Sequence, residues 1–174
     1  MKNRKDKPGN TELSFSGVHV IPLSREDLWG SLNDPEVLQI CIRGCSLVEK
    51  VGDDAFKALF RFKVGPLSKT FSATLNVVDP NPPAGYTLHS DMAAGMAGSV
   101  SGKADVVLVS ESVNRTRLNY HAVVDASGWL GELGIRVLGS TAEKYMENFF
   151  NTLVSATESG SRVRSEACEG HTEK

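Results

Sequence analysis

The residues best suited to chemistry are two cysteines, Cys41 and Cys45, which lie in the stretch DPEVLQICIRGC on either side of an Arg43-Gly44 turn. A structural zinc site usually needs about four Cys or His ligands, and the nearest histidines along the chain are far away. A redox pair usually has C-x-x-C spacing beside a βαβ unit, whereas this spacing is C-x-x-x-C. Free cysteine is often buried as a small apolar side chain. We therefore interpret both thiols as packing residues at a corner of the fold.

Other patterns with known chemistry fail on spacing or context. The segment GMAGSVSGKA has three residues between Gly98 and Gly102, where a phosphate-binding loop has about four and is followed by a helix. The four histidines occur singly. His89 and His121 have the opposite parity to the apolar residues of their strands, which predicts solvent exposure. Because no G-x-S-x-G nucleophile elbow is present either, the sequence predicts no catalytic residues and no metal ligands.

Composition indicates one soluble globular domain. The chain has 174 residues, of which 40% are hydrophobic and 23% charged, with a formal net charge of −2. That charge argues against nucleic acid as a partner, because a duplex binder needs a basic face to neutralise phosphates. No apolar run approaches the ~20 residues of a membrane-spanning helix, and the basic N-terminus lacks the apolar segment of a secretory signal. We therefore expect a cytoplasmic protein.

The elements that must position these residues begin with one strand and two short helices. Residues 1–11 are polar and charged, which predicts a disordered basic arm. From Leu13 the pattern is typical of a strand, and Gly17 is a predicted β-bulge because the apolar parity slips there. Ser24 is followed three residues later by an acid, which predicts a helix N-cap. Asp34-Pro35 predicts a second cap, with proline at the first helical position.

Six further strands and one long helix follow. Apolar parity predicts antiparallel strands joined by turns after Cys45 and over residues 56–64, 71–77, 86–92, 100–109 and 116–124. Helical spacing from Val137 to about Ser155 predicts a long C-terminal helix, and we expect the glycines before it to form flexible rims of a pocket. Residues 158–174 lack periodicity, which predicts a polar flexible tail and places the folded domain at residues 12–157.

This order predicts an α+β helix-grip fold. A curved antiparallel sheet of about seven strands should wrap around the long C-terminal helix, with two short helices after the first strand. Glycines and alanines around residues 93–102 predict a cavity between sheet and helix, because they remove side-chain volume from one wall. The predicted lining comes from the inward faces of the strands and the helix: Phe60, Phe62, Phe71, Ala73, Leu75, Met92, Met96, Tyr120, Val137, Tyr145 and Phe149.

Several of these segments together resemble the G-subunit family of carbon monoxide dehydrogenase. The likeness runs from about Phe15 to Leu153 through FSGVHVIPLSREDLWGSLNDPEVLQICIRGC, FKVGPLSKTFSATLNVVDPNPPAGYTL, GMAGSVSGKADVVL and LGIRVLG. The family's usual C-I-P-G-C is similar to the CIRGC that begins at Cys41, with Arg43 in place of proline. The resemblance implies a START-like helix-grip fold of the polyketide cyclase-like superfamily. It also implies that this signature marks the turn from the second helix to the second strand.

The resemblance further implies an accessory protein that is not itself catalytic. The family is associated with CO dehydrogenase-type molybdenum hydroxylases and with their attachment to the membrane or its quinone pool. It therefore implies such an enzyme as partner, a non-covalent quinone or other lipid as apolar ligand, and peripheral contact at the inner face of the membrane. No metal or covalent cofactor is implied, since three cysteines could not hold iron–sulfur clusters. The polar C-terminus argues against direct membrane anchoring.

Two alternatives stay open at this point. One is a docking or assembly factor that uses its surface and holds no ligand. The other is a small START-like hydrolase or cyclase, which would need buried titratable groups that meet in the cavity. Tyr120, Tyr145 and His121 are the best candidates for such groups. Lipid that co-purifies with the protein would favour ligand binding, and a tightly packed interior would favour docking.

Overall fold

The computed structural model describes residues 10–64, 67–93, 95 and 98–169, with the backbone alone described for residues 62, 64, 67, 69, 134, 135 and 158–169. Within that part of the chain, seven strands and four helices follow one another. The strands are β1 (Asn10–Ile21), β2 (Cys45–Lys50), β3 (Ala55–Val64), β4 (Leu67–Asn81), β5 (Gly85–Ala93), β6 (Ser99–Ser112) and β7 (Arg115–Ser127). The helices are α1 (Arg25–Leu32), α2 (Pro35–Cys41), α3 (Gly128–Glu132) and α4 (Gly134–Glu169).

The strands form one antiparallel sheet in the order β1-β7-β6-β5-β4-β3-β2. Each neighbour after β1 is the preceding strand in sequence, so β2 to β7 form a meander and β1 closes against the last strand. Helix α4 packs over the sheet and contacts β1, β3 and α2. This arrangement confirms the predicted α+β helix-grip fold, with two short helices after the first strand and a long helix at the C-terminal end.

Both predicted helix caps are present. The Ser24 hydroxyl accepts a hydrogen bond from the Asp27 backbone N–H over 3.1 Å and begins α1. The Asp34 carboxylate accepts one from the Glu36 backbone N–H over 2.8 Å, and Pro35 occupies the first turn of α2. These contacts satisfy backbone donors that a short helix leaves unpaired. Local sequence is therefore sufficient to place α1 and α2.

The main core packs α4 onto the sheet and onto α1. Phe150 and Leu153 of α4 contact Ile21 of β1, Leu28 of α1 and Leu118 of β7. The fully buried Thr116 ties β7 to the connection that leads into α1, because its hydroxyl donates to the Leu23 carbonyl over 2.9 Å. The well-packed part of the interior therefore lies beside α1, at one end of the groove between sheet and helix.

Strand β1 differs from the prediction in its start and at Gly17. It begins at Asn10, so residues 10 and 11 pair with β7 and do not belong to a disordered arm; residues 1–9 lie outside the described part. The predicted bulge at Gly17 is wrong, because the β1–β7 register is unbroken from Asn10 to Ile21. The apolar parity slips because Val18 and Val20 point outward, where they are 61% and 43% exposed.

The C-terminal region contains more helix than the sequence indicated. Helix α4 continues to Glu169, well beyond the predicted end near Ser155 and into the segment predicted as a flexible tail. Apolar periodicity detects a helix that buries one face, whereas a started helix can continue wherever helix-forming residues such as Arg, Glu and Ala add hydrogen bonds. Helix α3 replaces the expected glycine-rich loop and forms because Leu130 is fully buried against the sheet.

Candidate ligand-binding cavity

Two adjoining chambers lie between the sheet and α4. The first chamber has a volume of about 340 Å³, and 16 of the 19 described residues that line it are apolar. The second chamber has a volume of about 320 Å³ and is lined by apolar residues and two tyrosines. Five residues line both chambers, so the two are neighbours: Phe15, Ile42, Leu75, Met146 and Phe149. The groove therefore combines a packed core at α1 with open space beside it.

Most of the predicted lining residues lie on these walls. Phe60, Ala73, Met92 and Tyr145 line the first chamber. Tyr120 lines the second, and Leu75 and Phe149 line both. Strand parity and helical spacing therefore identified the correct face of each element. Met96 lies outside the described residues, as does the side chain of Phe62.

The structure does not place Phe71 or Val137 on either wall. Phe71 is only 1% exposed and packs against Ala126, Leu130 and Leu138 in a core cluster beside the first chamber. Val137 is 41% exposed, because its neighbour Leu138 occupies the inward position of α4. Residues 138, 142, 145, 146 and 149 form the inward stripe of that helix, which the i, i+4, i+7 spacing of an amphipathic helix predicts.

Several lining residues were missed at the sequence level. Phe15 shares the inward parity of Leu13 on β1, and Met146 lies on the inward stripe of α4, so both could have been found from periodicity. Ser90 is flanked by exposed residues on β5 and carries no apolar signal. Arg43 lies in the turn after α2, where neither period applies, and only the packing of that turn against the sheet brings it to the first chamber.

Residues without bulky side chains keep the chambers open. Ala58, Ala73 and Ala126 form part of the wall of the first chamber. A Cβ on Gly102 would lie 2.8 Å from the Ser90 hydroxyl and 3.4 Å from a Val124 methyl group. The small residues predicted to remove volume from one wall therefore do so at position 102.

Tyrosines and one arginine supply most of the polar groups of the walls. Burial raises the pKa of Tyr86 to about 12. The pKa of Tyr120 is also raised, by burial and by the nearby Glu143 carboxylate. Both phenols in the second chamber are therefore neutral hydrogen-bonding groups at physiological pH. Arg43 is exposed to solvent as well as lining the first chamber. Among the residues described, no Asp, Glu, His or Cys lines either chamber.

The two thiols pack at the α2–β2 corner. Cys41 is fully buried, and burial raises its pKa to about 11. The Cys45 thiol lies within 3.2 Å of the Leu47 carbonyl and 3.4 Å of the Leu59 carbonyl, to which it can donate; burial raises its pKa as well. Within the described ranges, no group of three or more His, Cys, Asp or Glu side chains could hold a metal ion. Both thiols are therefore protonated packing groups.

The histidines lie away from the chambers. His89 and His121 are exposed, as their parity predicted, and a His121 ring nitrogen is 3.1 Å from the Ser16 hydroxyl. His19 is half-buried and stacks on Phe150 with 3.8 Å between ring centroids. Burial lowers the pKa of His19, so the ring is neutral at physiological pH. No helix among the described residues combines the length and the apolarity needed to cross a membrane.

Solved structures with this fold include one moderately similar protein and several distant ones. A conserved protein from Geobacillus kaustophilus is 27% identical with a TM-score of 0.77, and the match covers 83% of this chain and 94% of that chain. A START superfamily protein from Mycobacterium smegmatis is 11% identical with a TM-score of 0.65, and the match covers 84% and 97% of the two chains. The Zhui aromatase/cyclase from Streptomyces sp. R1128 is 14% identical with a TM-score of 0.59, over 85% and 94%. The last two show the fold alone.

Sequence comparison defines the family. Among functionally curated proteins, none matches this chain significantly. The family model of CoxG, the G-subunit of carbon monoxide dehydrogenase, matches residues 17–157, from the middle of β1 through the inward stripe of α4. The matched region includes the CIRGC corner and all four helices up to that point, and its fold is that of START superfamily proteins. The chain therefore belongs to the CoxG family of carbon monoxide dehydrogenase.

Proposed function

We propose that this protein is a non-catalytic accessory protein of a CO dehydrogenase-type molybdenum hydroxylase, and that it holds an apolar ligand between the sheet and α4. The observation that carries the proposal is the pair of adjoining apolar chambers of about 340 and 320 Å³. Small-molecule sites are concave, mostly apolar spaces of about 300–1,000 Å³ with few polar groups. We take a quinone as the first candidate ligand, because the family is associated with enzymes that pass electrons to the quinone pool.

The walls suit such a ligand physically. Each Å² of apolar ligand surface removed from water contributes about 25 cal/mol, and aromatic side chains such as Phe60 and Phe149 offer faces against which a ring can pack. The phenols of Tyr86 and Tyr120 and the Ser90 hydroxyl can bond to ligand oxygens. A ligand held in this way would link the partner enzyme to the respiratory chain, with peripheral contact to the membrane during exchange.

The absence of acid–base groups on the described walls favours binding over catalysis. A hydrolase or cyclase needs a positioned base or acid with a suitable pKa. His121, one of the three residues considered for that role, is exposed and lies outside both chambers. Tyr120 lines the second chamber and Tyr145 the first, and the raised pKa of Tyr120 makes its phenol a poor base. A docking factor without a ligand is the remaining rival.

The experiment that tests the proposal fills the first chamber. Ala73→Trp places a large side chain at a position that is 6% exposed and lines the chamber. Thr74→Trp is the matched control, because Thr74 is the next residue of β4 and is exposed on the other face. A short-chain quinone is titrated by calorimetry into each folded variant. We expect wild type and Thr74→Trp to bind equally and Ala73→Trp to bind at least about tenfold more weakly.

Mass spectrometry of lipids that co-purify with the native protein provides a second measurement. A bound isoprenoid quinone or other lipid in wild type, depleted in Ala73→Trp, would support the proposal. Absence of any apolar ligand, together with no binding in the titration, would favour the docking factor. Equal binding by wild type and a folded Ala73→Trp would show that the ligand site lies elsewhere.

A further inference from the structure

We infer that the ligand of these chambers is an amphiphile whose oxygen-bearing head binds Arg43 and whose apolar tail extends past Phe149 into the second chamber. This inference depends on the proposed ligand-binding function and adds an orientation and a head-group chemistry to it. The observations that carry it are the position of Arg43, the turn that holds it and the distribution of polar groups along the walls.

Arg43 carries the only charge among the described residues that line the two chambers. It forms no ion pair and no side-chain hydrogen bond with any residue in the part of the chain that the structure describes. Its side chain is exposed, so the guanidinium lies where the first chamber meets solvent. A planar guanidinium presents several N–H donors to oxygen acceptors, and here those donors are available to a ligand.

The turn that carries Arg43 is held firmly against β3. The Cys45 backbone N–H donates to the Ile42 carbonyl over 3.0 Å, and the Arg61 N–H donates to the Gly44 carbonyl over 2.9 Å. Gly44 has a φ of +76°, and a Cβ there would lie 2.6 Å from the Arg61 carbonyl oxygen. These contacts place residue 43 beside the chamber before any ligand arrives. A preorganised donor loses less entropy on binding than a mobile one.

The distribution of polar groups indicates the direction of the ligand. At Arg43 a polar head keeps part of its hydration and gains a charge-assisted hydrogen bond, which is about twice as strong as a neutral one. In the second chamber the described polar groups are the neutral phenols of Tyr86 and Tyr120, and a head placed there would be desolvated. Phe149 and Ile42 line both chambers, so a tail that starts beside Arg43 can continue inward along them.

The test compares head groups and cations in a cross of ligands and variants. The probes are a decyl-substituted quinone, undecanoate and decylbenzene, which share a similar tail and differ in the head. The variants are Arg43→Gln, which removes the charge, Arg43→Lys, which keeps it, and Arg61→Gln. Arg61 is the matched control, because it is an exposed arginine beside the same turn and does not line either chamber.

We expect Arg43→Gln to weaken undecanoate binding about 5- to 10-fold and quinone binding about 2- to 5-fold, with decylbenzene unchanged within about twofold. Arg43→Lys should keep most of the undecanoate affinity, and Arg61→Gln should leave all three unchanged. The undecanoate affinity of wild type should fall as salt is raised, because the Arg43 head site is solvent-exposed.

The two tryptophans report the position of the quinone ring. Trp129 packs against the cluster that contains Leu130 and Leu138 of the first chamber, and Trp29 meets the Tyr86 ring of the second chamber at 5.5 Å. Quinone quenching in Trp29→Phe, which keeps Trp129, should therefore exceed quenching in Trp129→Phe. Equal affinity of Arg43→Gln and wild type for undecanoate and quinone would overturn the inference, as would stronger quenching of Trp29. Failure of all three probes to bind wild type would instead overturn the proposed function.

Discussion

At the scale of single residues, the two thiols of the CIRGC corner behave as small packing groups with raised pKa values. Cys41 is fully buried between α2 and the core, whereas Cys45 is half-buried and lies within hydrogen-bonding distance of two carbonyls. Thiolate is the form of cysteine that attacks electrophiles and binds metals. Because burial raises the pKa of the Cys41 thiol to about 11, this thiol stays protonated and unreactive at neutral pH.

The Cys41 pKa predicts a change in stability at high pH. An ordinary thiol has a pKa near 9.0, so above pH 9 the unfolded chain loses this proton while the folded chain keeps it up to about pH 11. The contribution of Cys41 to the free energy of unfolding is therefore complete below pH 9 and declines between pH 9 and 11, with a slope of at most about 1.4 kcal/mol per pH unit. Urea unfolding of wild type and Cys41→Ala should differ by a constant ~1–2 kcal/mol at pH 7–8.5. That difference should shrink above pH 9, and a constant or growing difference would contradict the assignment.

At the scale of elements, the pairing of β1 with β7 depends on a glycine that faces an aromatic ring. Gly17 is directly opposite Tyr120 in the register. A Cβ on Gly17 would lie 2.5 Å from a ring carbon of Tyr120. That ring lies near Phe150, with 5.6 Å between centroids, and near His19 at 6.0 Å. The tyrosine ring therefore covers the glycine backbone, an arrangement that compensates for glycine in a strand.

Gly17→Ala should destabilise the fold by about 1–2 kcal/mol, because the added methyl group must displace the Tyr120 ring from its neighbours. Gly30→Ala is the matched control: a Cβ at Gly30 meets no atom within 4 Å, and alanine in a helix should be neutral or stabilise by up to about 1 kcal/mol. In a Tyr120→Leu background the cost of Gly17→Ala should largely vanish. Urea unfolding measures all four variants, and an equal cost in both backgrounds would assign the effect to the backbone instead.

At the scale of the whole molecule, α4 covers a sheet that it does not fill completely. Phe150 and Leu153 pack into the core beside α1, whereas Phe149 lines both chambers. Empty apolar space lowers stability because its lining atoms lack packing partners. A ligand that occupies the chambers would supply those partners, and it would stabilise the folded state in proportion to its concentration above Kd.

Thermal unfolding should therefore report ligand binding for the whole domain. A short-chain quinone at about 100 times its Kd should stabilise wild type by about 2.7 kcal/mol, which is a rise in Tm of about 5–10 °C for a domain of this size. Thr74→Trp should show the same rise, and Ala73→Trp should show little. A Tm that does not depend on quinone concentration in wild type would leave the docking role as the better account.

The sequence by itself determined the order of the elements and the inward face of each one. Caps at Ser24 and Asp34 are local, because side-chain and backbone groups two or three residues apart form them. Strand parity and helical spacing are also local, and they placed Phe60 and Tyr145 on the inner side. Periodicity is less informative where apolar residues face outward, and Val18 and Val20 suggested a bulge that β1 does not contain.

Only the tertiary structure decided which inward residues meet empty space and which are packed. Phe71 and Phe60 share the inner face of the sheet, but α3 and β7 cover Phe71 while Phe60 lines the first chamber. Periodicity identifies a face, and the depth of a residue depends on how closely a distant segment approaches it. For the same reason no local pattern placed Arg43 on the wall: hydrogen bonds between its turn and β3, formed by residues distant in sequence, bring it to the chamber.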